Sequence, residues 1–213
     1  MSNERIKEVF NSWAETWDER AIPREEKIKR ILEVGEMKEG LDILDVACGT
    51  GVMEQFLLKY NPKSIVAVDI AENMIKKAKE KYNDNRIEFI CDDIHNIKDR
   101  KFDYVIIYNA FPHFLNPDKF IAHVHTLLRE NGKFLICHDM GRDQLNNHHN
   151  NKKKVSDISL GLKETAEVGW MLVNSFFVDK KRISLQKKKS TKTEYSSVFS
   201  CCFCICFKYY GGF

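Results

Sequence analysis

Leu41-Asp42-Ile43-Leu44-Asp45-Val46-Ala47-Cys48-Gly49-Thr50-Gly51 decides how the chain is read. Ile43, Leu44 and Val46 form a short apolar run of the kind that is buried as a strand, and the run stops at a turn containing two glycines. An amphipathic stretch from Val52 to Tyr60 leaves that turn. The order is therefore strand, turn, helix. Gly49 and Gly51 lack a Cβ, so the backbone there can take left-handed angles and a ligand can lie against it. The bare amides of such a turn are the expected binding surface.

Outward from the turn the same alternation repeats. Ile65 to Val68 reads as a second strand ending at Asp69, and Ala71 to Tyr82 as a helix with Met74, Ile75, Ala78 and Tyr82 inward. Ile87 to Cys91 is a third strand, closed by Asp92-Asp93, and Phe102 to Tyr108 a fourth. Asn116-Pro117-Asp118 marks a helix start: a capping side chain, a proline in the first turn and an acid near the positive end of the dipole. That helix is expected to bury Phe120, Ile121, Val124, Leu127 and Leu128. Lys133 to His138 then forms a fifth strand after an Asn131-Gly132 stop. Strands alternating with helices predict an α/β fold, a Rossmann-like, doubly wound and mostly parallel sheet with helices on both faces. Ligands bind such sheets at the carboxyl ends of the strands, where Gly49, Asp69, Asp92, Asn109 and His138 all fall.

Two ligand classes use a turn of this type. A dinucleotide turn follows Gly-x-Gly-x-x-Gly, and its last glycine lets the helix pack close around a pyrophosphate. Glu54 stands at that third place and opposes the reading. Asp45, an acid at the strand end, would repel a pyrophosphate but suits a cationic amino-acid group. Asp45-Val-Ala-Cys-Gly-Thr-Gly51 resembles the first motif of the class I S-adenosylmethionine-dependent methyltransferases, of the small bacterial methyltransferase type 11/25 kind. The later segments agree in order: Asp69 resembles the ribose-binding acid, Asp92 the acid that reads the adenine amino group, and Phe102 to Phe114 the fourth motif. Asp93 stands where many members carry a small residue, so Asp92 is the preferred acid of the two.

The resemblance covers about the first two-thirds of the chain. It implies S-adenosyl-L-methionine as cofactor, with Asp45, Ala47, Gly49, Gly51, Asp69, Ile70, Asp92, Asp93, Ile94 and Asn109 around it; Ile70 and Ile94 would sandwich the adenine. It also implies transfer of a methyl group to a small-molecule acceptor, releasing S-adenosylhomocysteine. Such a displacement mainly needs the nucleophile, methyl group and sulfur held in line, and a proton removed where the acceptor requires it. His113 and His138 are the expected catalytic residues, with His148 and His149 in the following loop; no spacing matches a strong metal signature. Non-catalytic binding of the cofactor or a metal is the alternative, and a nicotinamide oxidoreductase the third.

Ahead of the first strand, Ile6, Val9, Phe10, Trp13 and Trp17 recur every three or four residues and give a helix one apolar face. Phe10-x-x-Trp-Ala-x-x-Trp17-Asp18 resembles the segment that covers the cofactor in many small-molecule methyltransferases, which adds Trp17 to the expected site. Anchoring of the helix to the core would explain the same aromatics. Pro23 opens a second helix with Ile28, Ile31 and Leu32 inward.

The expected organisation is a helical flank or lid at 1–40, a methyltransferase domain at 41–186 and a tail at 187–213. Ile158 to Val168 reads as a helix, and Met171 to Val178 with Ile183 to Gln186 as an antiparallel edge hairpin. From Lys187 a lysine-rich run gives way to a cysteine- and phenylalanine-rich one that is expected to be poorly ordered. The 213 residues carry a net charge of +3 with 31% charged residues, which gives no pull toward nucleic acid. No run reaches the roughly 20 apolar residues of a membrane helix. A cytoplasmic monomer or homodimer with no membrane partner is the expectation.

Overall fold

The computed structural model describes residues 2–140 and the strand 203–208. Five strands run parallel: β1 (Asp42–Val46), β2 (Ser64–Asp69), β3 (Ile87–Cys91), β4 (Phe102–Tyr108) and β5 (Leu128–His138). A sixth, β6 (Phe203–Lys208), lies antiparallel to β5, and the sheet order is β3-β2-β1-β4-β5-β6. Chain order reverses between β1 and β4. That gap is the topological switch point, where the loops after the two strands part and leave a crevice.

Helices α3 (Glu25–Val34), α4 (Glu54–Leu57), α5 (Glu72–Lys81) and α6 (Pro117–Leu127) cover the sheet. Alternate residues of each strand serve opposite faces. Leu44, Val46, Val105, Ile107, Phe134 and Ile136 share one core with Phe120, Ile121 and Val124 of α6. Ile43, Ile65, Ile106 and Leu135 share the other with Ile28, Ile31 and Leu32 of α3 and Leu57 of α4. Both cores are nearly solvent-free, which is why the central strands read as unbroken apolar runs. At the opposite end from the crevice, Arg129 bridges Asp42 (2.8 Å) and Asp103 (2.9 Å) and ties the starts of β1 and β4 together.

The N-terminal segment folds as α1 (Asn3–Trp13), a 3-10 turn and the single-turn α2 (Trp17–Arg20). It lies along α5 through regularly spaced polar contacts. Lys7 pairs with Glu72 (2.6 Å), Asn11 accepts from the Asn73 amide (2.9 Å), Glu15 pairs with Lys77 (2.7 Å) and Asp18 with Lys81 (2.9 Å). Beneath them Ala14 and Trp17 pack on Ala71 and Met74, and Ile6 and Val9 pack toward Leu115. The segment thus spans from the β2–α5 connection to the β4–α6 connection.

Three sequence expectations change. The helix after the glycine turn is short: residues 50–53 stay in turns, α4 covers Glu54–Leu57, and a 3-10 turn finishes at Tyr60. Asn131-Gly132 does not separate α6 from β5, because α6 hands over directly to a strand at Leu128 and the pairing to β4 skips from Leu128 to Lys133. Asn131, at φ 62, accommodates that bulge. Phe203–Lys208, within the tail expected to be poorly ordered, supplies an antiparallel edge strand that pairs with β5 in register from Lys133↔Lys208 to His138↔Phe203. The expected helix at 158–168 and hairpin at 171–186, with His148 and His149, lie outside the described residues.

Candidate functional site

The glycine turn at the end of β1 is locked from beneath. Ala47, Gly49 and Gly51 all have positive φ, at 57°, 58° and 82°. The Cys48 amide donates to the Val68 carbonyl (3.1 Å), the Gly49 amide to Asp69 Oδ2 (2.8 Å) and the Gly51 amide to the Cys48 carbonyl (3.0 Å). These three amides are consumed by the fold, so the expectation of a surface of bare amides fails at Cys48, Gly49 and Gly51. The two glycines are also required for different reasons. Among the described residues a Cβ on Gly49 would meet only Trp17 Nε1, at 3.7 Å, whereas one on Gly51 would stand 2.7 Å from the Tyr82 ring. Gly49 leaves room, and Gly51 permits close packing.

Asp69 is the hub. Its Oδ1 accepts from the Ala71 amide at 2.8 Å while Oδ2 holds Gly49, and the side chain is almost wholly buried. Burial pushes its carboxyl up to about 6, against the opposing pull of the amides of Ala71, Gly49 and Ile70. The expectation was a carboxylate turned to two ribose hydroxyls. In this structure each oxygen first serves the backbone, with its remaining lone pairs left for a ligand.

Asp45 is 1% exposed and Glu54 0% exposed. Among the described residues no hydrogen-bond donor is placed on Asp45 Oδ2 or on either oxygen of Glu54. Burial drives the Asp45 carboxyl well above the usual carboxylate range, reinforced by the neighbouring charges of Glu54 and Asp69; burial raises Glu54 as well. The two acids face one another and interact as a pair. Asp45 therefore lies under the turn, sealed beneath it, where the sequence reading had it facing a ligand.

At the end of β3 the two neighbouring acids divide their tasks. Asp93 accepts from Asn3 (3.0 Å) and from the backbone and ring of His95, which makes it the cap of the next 3-10 turn. Asp92 is exposed and bonds through Oδ1 to Asn96 and to the Asp93 amide, both at 2.7 Å. Ile70 is half-buried at the end of β2, and Ile94 is buried in the core shared with α6. Asn109, at φ 57, receives the Asp139 amide on its side-chain oxygen (3.0 Å) and gives its own amide to the Cys137 carbonyl (2.9 Å). It ties the ends of β4 and β5 together. Positive φ at Ala47 and Asn109, the residues that directly follow the two strands flanking the switch point, marks backbone held in a costly conformation.

Over the crevice lies an aromatic cluster. The Phe10 ring meets Trp13, Trp17 and His113 edge-on at centroid distances of 5.6, 5.5 and 5.1 Å. The Thr50 hydroxyl donates to Asp18 at 2.5 Å, so the turn and the segment above it are joined directly. The structure brings Trp17, Gly49, Asp69 and the 3-10 turn containing His113 to one end of the sheet. His138 ends β5 at the same end of the sheet but is wholly buried. Sequence reasoning missed Thr50, Asp18 and Tyr82, whose hydroxyl donates to the Gly51 carbonyl at 2.6 Å. It also missed Glu54 as a partner of Asp45; only the polarity of Glu54 next to a glycine turn could have signalled it. Among the described residues there is no cluster of three or more metal-ligating side chains, and no helix is long and apolar enough to cross a membrane.

This is the geometry of a ligand-binding α/β protein, and comparison with known proteins narrows the class. Residues 44–136 match the family model described as a methyltransferase domain. The malonyl-[acyl-carrier protein] O-methyltransferase of Priestia megaterium is 30% identical over 141 residues, 64% of this chain and 52% of that protein. The enzyme of the same name from Acetivibrio thermocellus is 36% identical over 109 residues, 49% of this chain and 38% of its own length. The chain thus spans about half or less of these relatives. Among solved structures, a SAM-dependent methyltransferase from Aquifex aeolicus superposes with a TM-score of 0.66 at 19% identity, covering 93% of this chain and 97% of that one. Over residues 44–136 the chain is thus similar to methyltransferase domains, and it shares the fold of SAM-dependent methyltransferases.

Proposed function

We propose that the protein transfers the methyl group of S-adenosylmethionine to a small-molecule acceptor and releases S-adenosylhomocysteine. The observation that carries this reading is the stack at the switch point: orphaned acid oxygens of Asp45 and Glu54 beneath the turn, the Cβ-free face of Gly49 above it, and Trp17 against that face. Buried acid oxygens without donors suit a cationic ligand and oppose a pyrophosphate. A nicotinamide cofactor is disfavoured for that reason.

The cofactor supplies an activated methyl group and a good leaving group. The chain's residues hold and enclose it. Asp45 acts on the amino-acid end through the turn, and Ala47, Gly49 and Gly51 shape the surface beneath. Asp69 offers its remaining lone pairs to the ribose. Asp92, the exposed acid of its pair, takes the adenine amino group, Ile70 and Ile94 flank the ring, and Asp93 fixes the loop. Asn109 sets the ends of β4 and β5 on the side where the methyl group is presented, and Trp17 excludes water. His113, in the aromatic cluster over the crevice, removes a proton from the acceptor. His138, wholly buried, carries no proton-transfer role in this reading.

The named substrate of the bacterial relatives is a malonyl group on an acyl carrier protein, which puts carboxylates among the acceptors to try. The test is to supply S-adenosylmethionine with carboxylic acids, amines, phenols, thiols and malonyl-acyl carrier protein and to assay S-adenosylhomocysteine. Acceptor-dependent product is expected. Tight cofactor binding with no turnover on any acceptor would favour a non-catalytic binder, and binding of NADH without S-adenosylmethionine would overturn the reading.

A further inference from the structure

Glu54 is a charged residue type with no exposed surface, and it sits on a helix of only four residues that starts just past the glycine turn. Its carboxyl is folded back under that turn: a Cβ on Gly51 would lie 3.3 Å from Oε2. Among the described residues, the titratable and charged groups around it come from β1, β2, α5 and the N-terminal segment. On the β1 side stand Asp45 and the buried Cys48 thiol, and on β2 stands Asp69, which is already committed to the Gly49 and Ala71 amides. From α5 and its end come Lys81, whose ammonium engages Asp18, and Tyr82, whose hydroxyl donates to the Gly51 carbonyl. Asp18 is itself held by Thr50 and Lys81. None of these supplies Glu54 with a donor.

Two carboxyls in contact within a dry pocket cannot both ionise, because neither water nor a cation offsets their repulsion. One proton held between them satisfies an orphan oxygen on each side and leaves the pair with a single negative charge. A cation brought to the turn above would offset the second charge and make that proton dispensable.

We infer that Glu54 belongs to the ligand site: in the free protein it shares a proton with Asp45, and a ligand bearing an ammonium group at the glycine turn displaces that proton to solvent as it binds. The inference rests on the methyltransferase reading above, since S-adenosylmethionine and S-adenosylhomocysteine both carry an α-ammonium group. Glu54 is then a positioning residue that acts through Asp45 and selects for the charged amino-acid end of the ligand.

Titration calorimetry with S-adenosylhomocysteine in buffers of different ionisation enthalpy tests this directly. The wild-type protein should release a fraction of a proton approaching one on binding, and its affinity should tighten about tenfold between roughly pH 6 and 8. Glu54→Gln keeps the shape and removes the shared proton, so release and pH dependence should largely vanish while binding persists. Asp45→Asn, the reciprocal variant, should also lose proton release and pH dependence, and should bind more weakly than Glu54→Gln because Asp45 carries the charge nearest the turn. Proton-independent binding by the wild type overturns the inference and leaves the methyltransferase reading standing, as does undiminished release in a folded Glu54→Gln protein. Failure of the wild type to bind S-adenosylhomocysteine overturns both.

Discussion

The Gly49 amide donates to the Asp69 carboxylate at 2.8 Å, and this one bond fixes the turn after β1 to the end of β2. The second oxygen of Asp69 holds the Ala71 amide, so the same side chain also sets the entry into α5. Asp69→Ala leaves both amides without their acceptor, at a cost of about 1–3 kcal/mol for each buried group left unpaired. Lower thermal stability together with weaker S-adenosylhomocysteine binding is expected, read by thermal denaturation and calorimetry. Asp69→Asn retains an acceptor for one amide and should fall between. Wild-type affinity in a folded Asp69→Ala protein would remove Asp69 from the ligand site.

The two turn glycines should fail differently. Gly51→Ala places a methyl group at φ 82° and against Tyr82, so it should destabilise the fold by about 2–4 kcal/mol. Adding Tyr82→Ala should recover part of that loss. Gly49→Ala carries the cost of its backbone angle alone, because the space above it is open to Trp17. It should retain more stability than Gly51→Ala and lose more ligand affinity. Equal effects of the two on melting temperature and affinity would contradict the distinction.

How much of this was legible in the chain follows from the range of each signal. The β1, β2 and β4 strands stand out because a parallel sheet covered on both faces leaves nearly every central position apolar, as at Ile43, Leu44, Val105 and Ile106. Asn116 with Pro117 announced α6, and the capping bond to the Lys119 amide is present. Asp69 could be placed at a strand end by spacing, but spacing does not say where a carboxylate points, and its first commitment is to the backbone. Glu54 could be read only as the residue that spoils a dinucleotide motif. Its burial against Asp45 depends on the turns that precede α4, which no periodicity encodes. The polar contacts from Lys7, Asn11, Glu15 and Asp18 to α5 were equally hidden, because each joins surface residues more than sixty positions apart. β6 escaped notice because a cysteine-rich apolar run acquires a register only when β5 is there to pair with it.

His113 is proposed above as the base. His113→Ala should lower the methylation rate by about 100-fold for an acceptor that must lose a proton, with S-adenosylhomocysteine affinity unchanged. An acceptor that is already deprotonated should lose far less. Full activity of the variant on a protonated acceptor would refute the assignment.

The segment over the crevice should act as a cover held by apolar contact more than by charge. Lys7, Glu15 and Asp18 make ion pairs with exposed partners or on exposed sites of their own, each worth about 0–1 kcal/mol. Trp17 instead packs between Phe10, Trp13 and the face of Gly49. Trp17→Ala should weaken S-adenosylhomocysteine binding about tenfold, chiefly through faster dissociation in stopped-flow fluorescence. Lys77→Ala should change it by less than about twofold.

Burial of three acids at one site gives stability an unusual pH profile. Asp69, Asp45 and Glu54 each hold a proton more tightly in the folded chain than in the unfolded one, because burial penalises their charged forms. The folded state therefore binds more protons than the unfolded state above the ordinary carboxylate range, and stability must fall as pH rises there. For Asp69 the contribution is complete below its unfolded value and lost by the time the pH passes about 6; the Asp45–Glu54 pair extends the decline toward neutrality. Asp84, which side-chain and backbone hydrogen bonds from Arg86 hold at about 2, works in the opposite sense but is largely ionised in both states over most of this window. Without ligand, the melting temperature should decline between about pH 4.5 and 7, and Glu54→Gln should flatten that decline by removing one of the buried ionisations. A wild-type melting temperature that climbs steadily across the same window would show that these three carboxyls are charged in the folded protein.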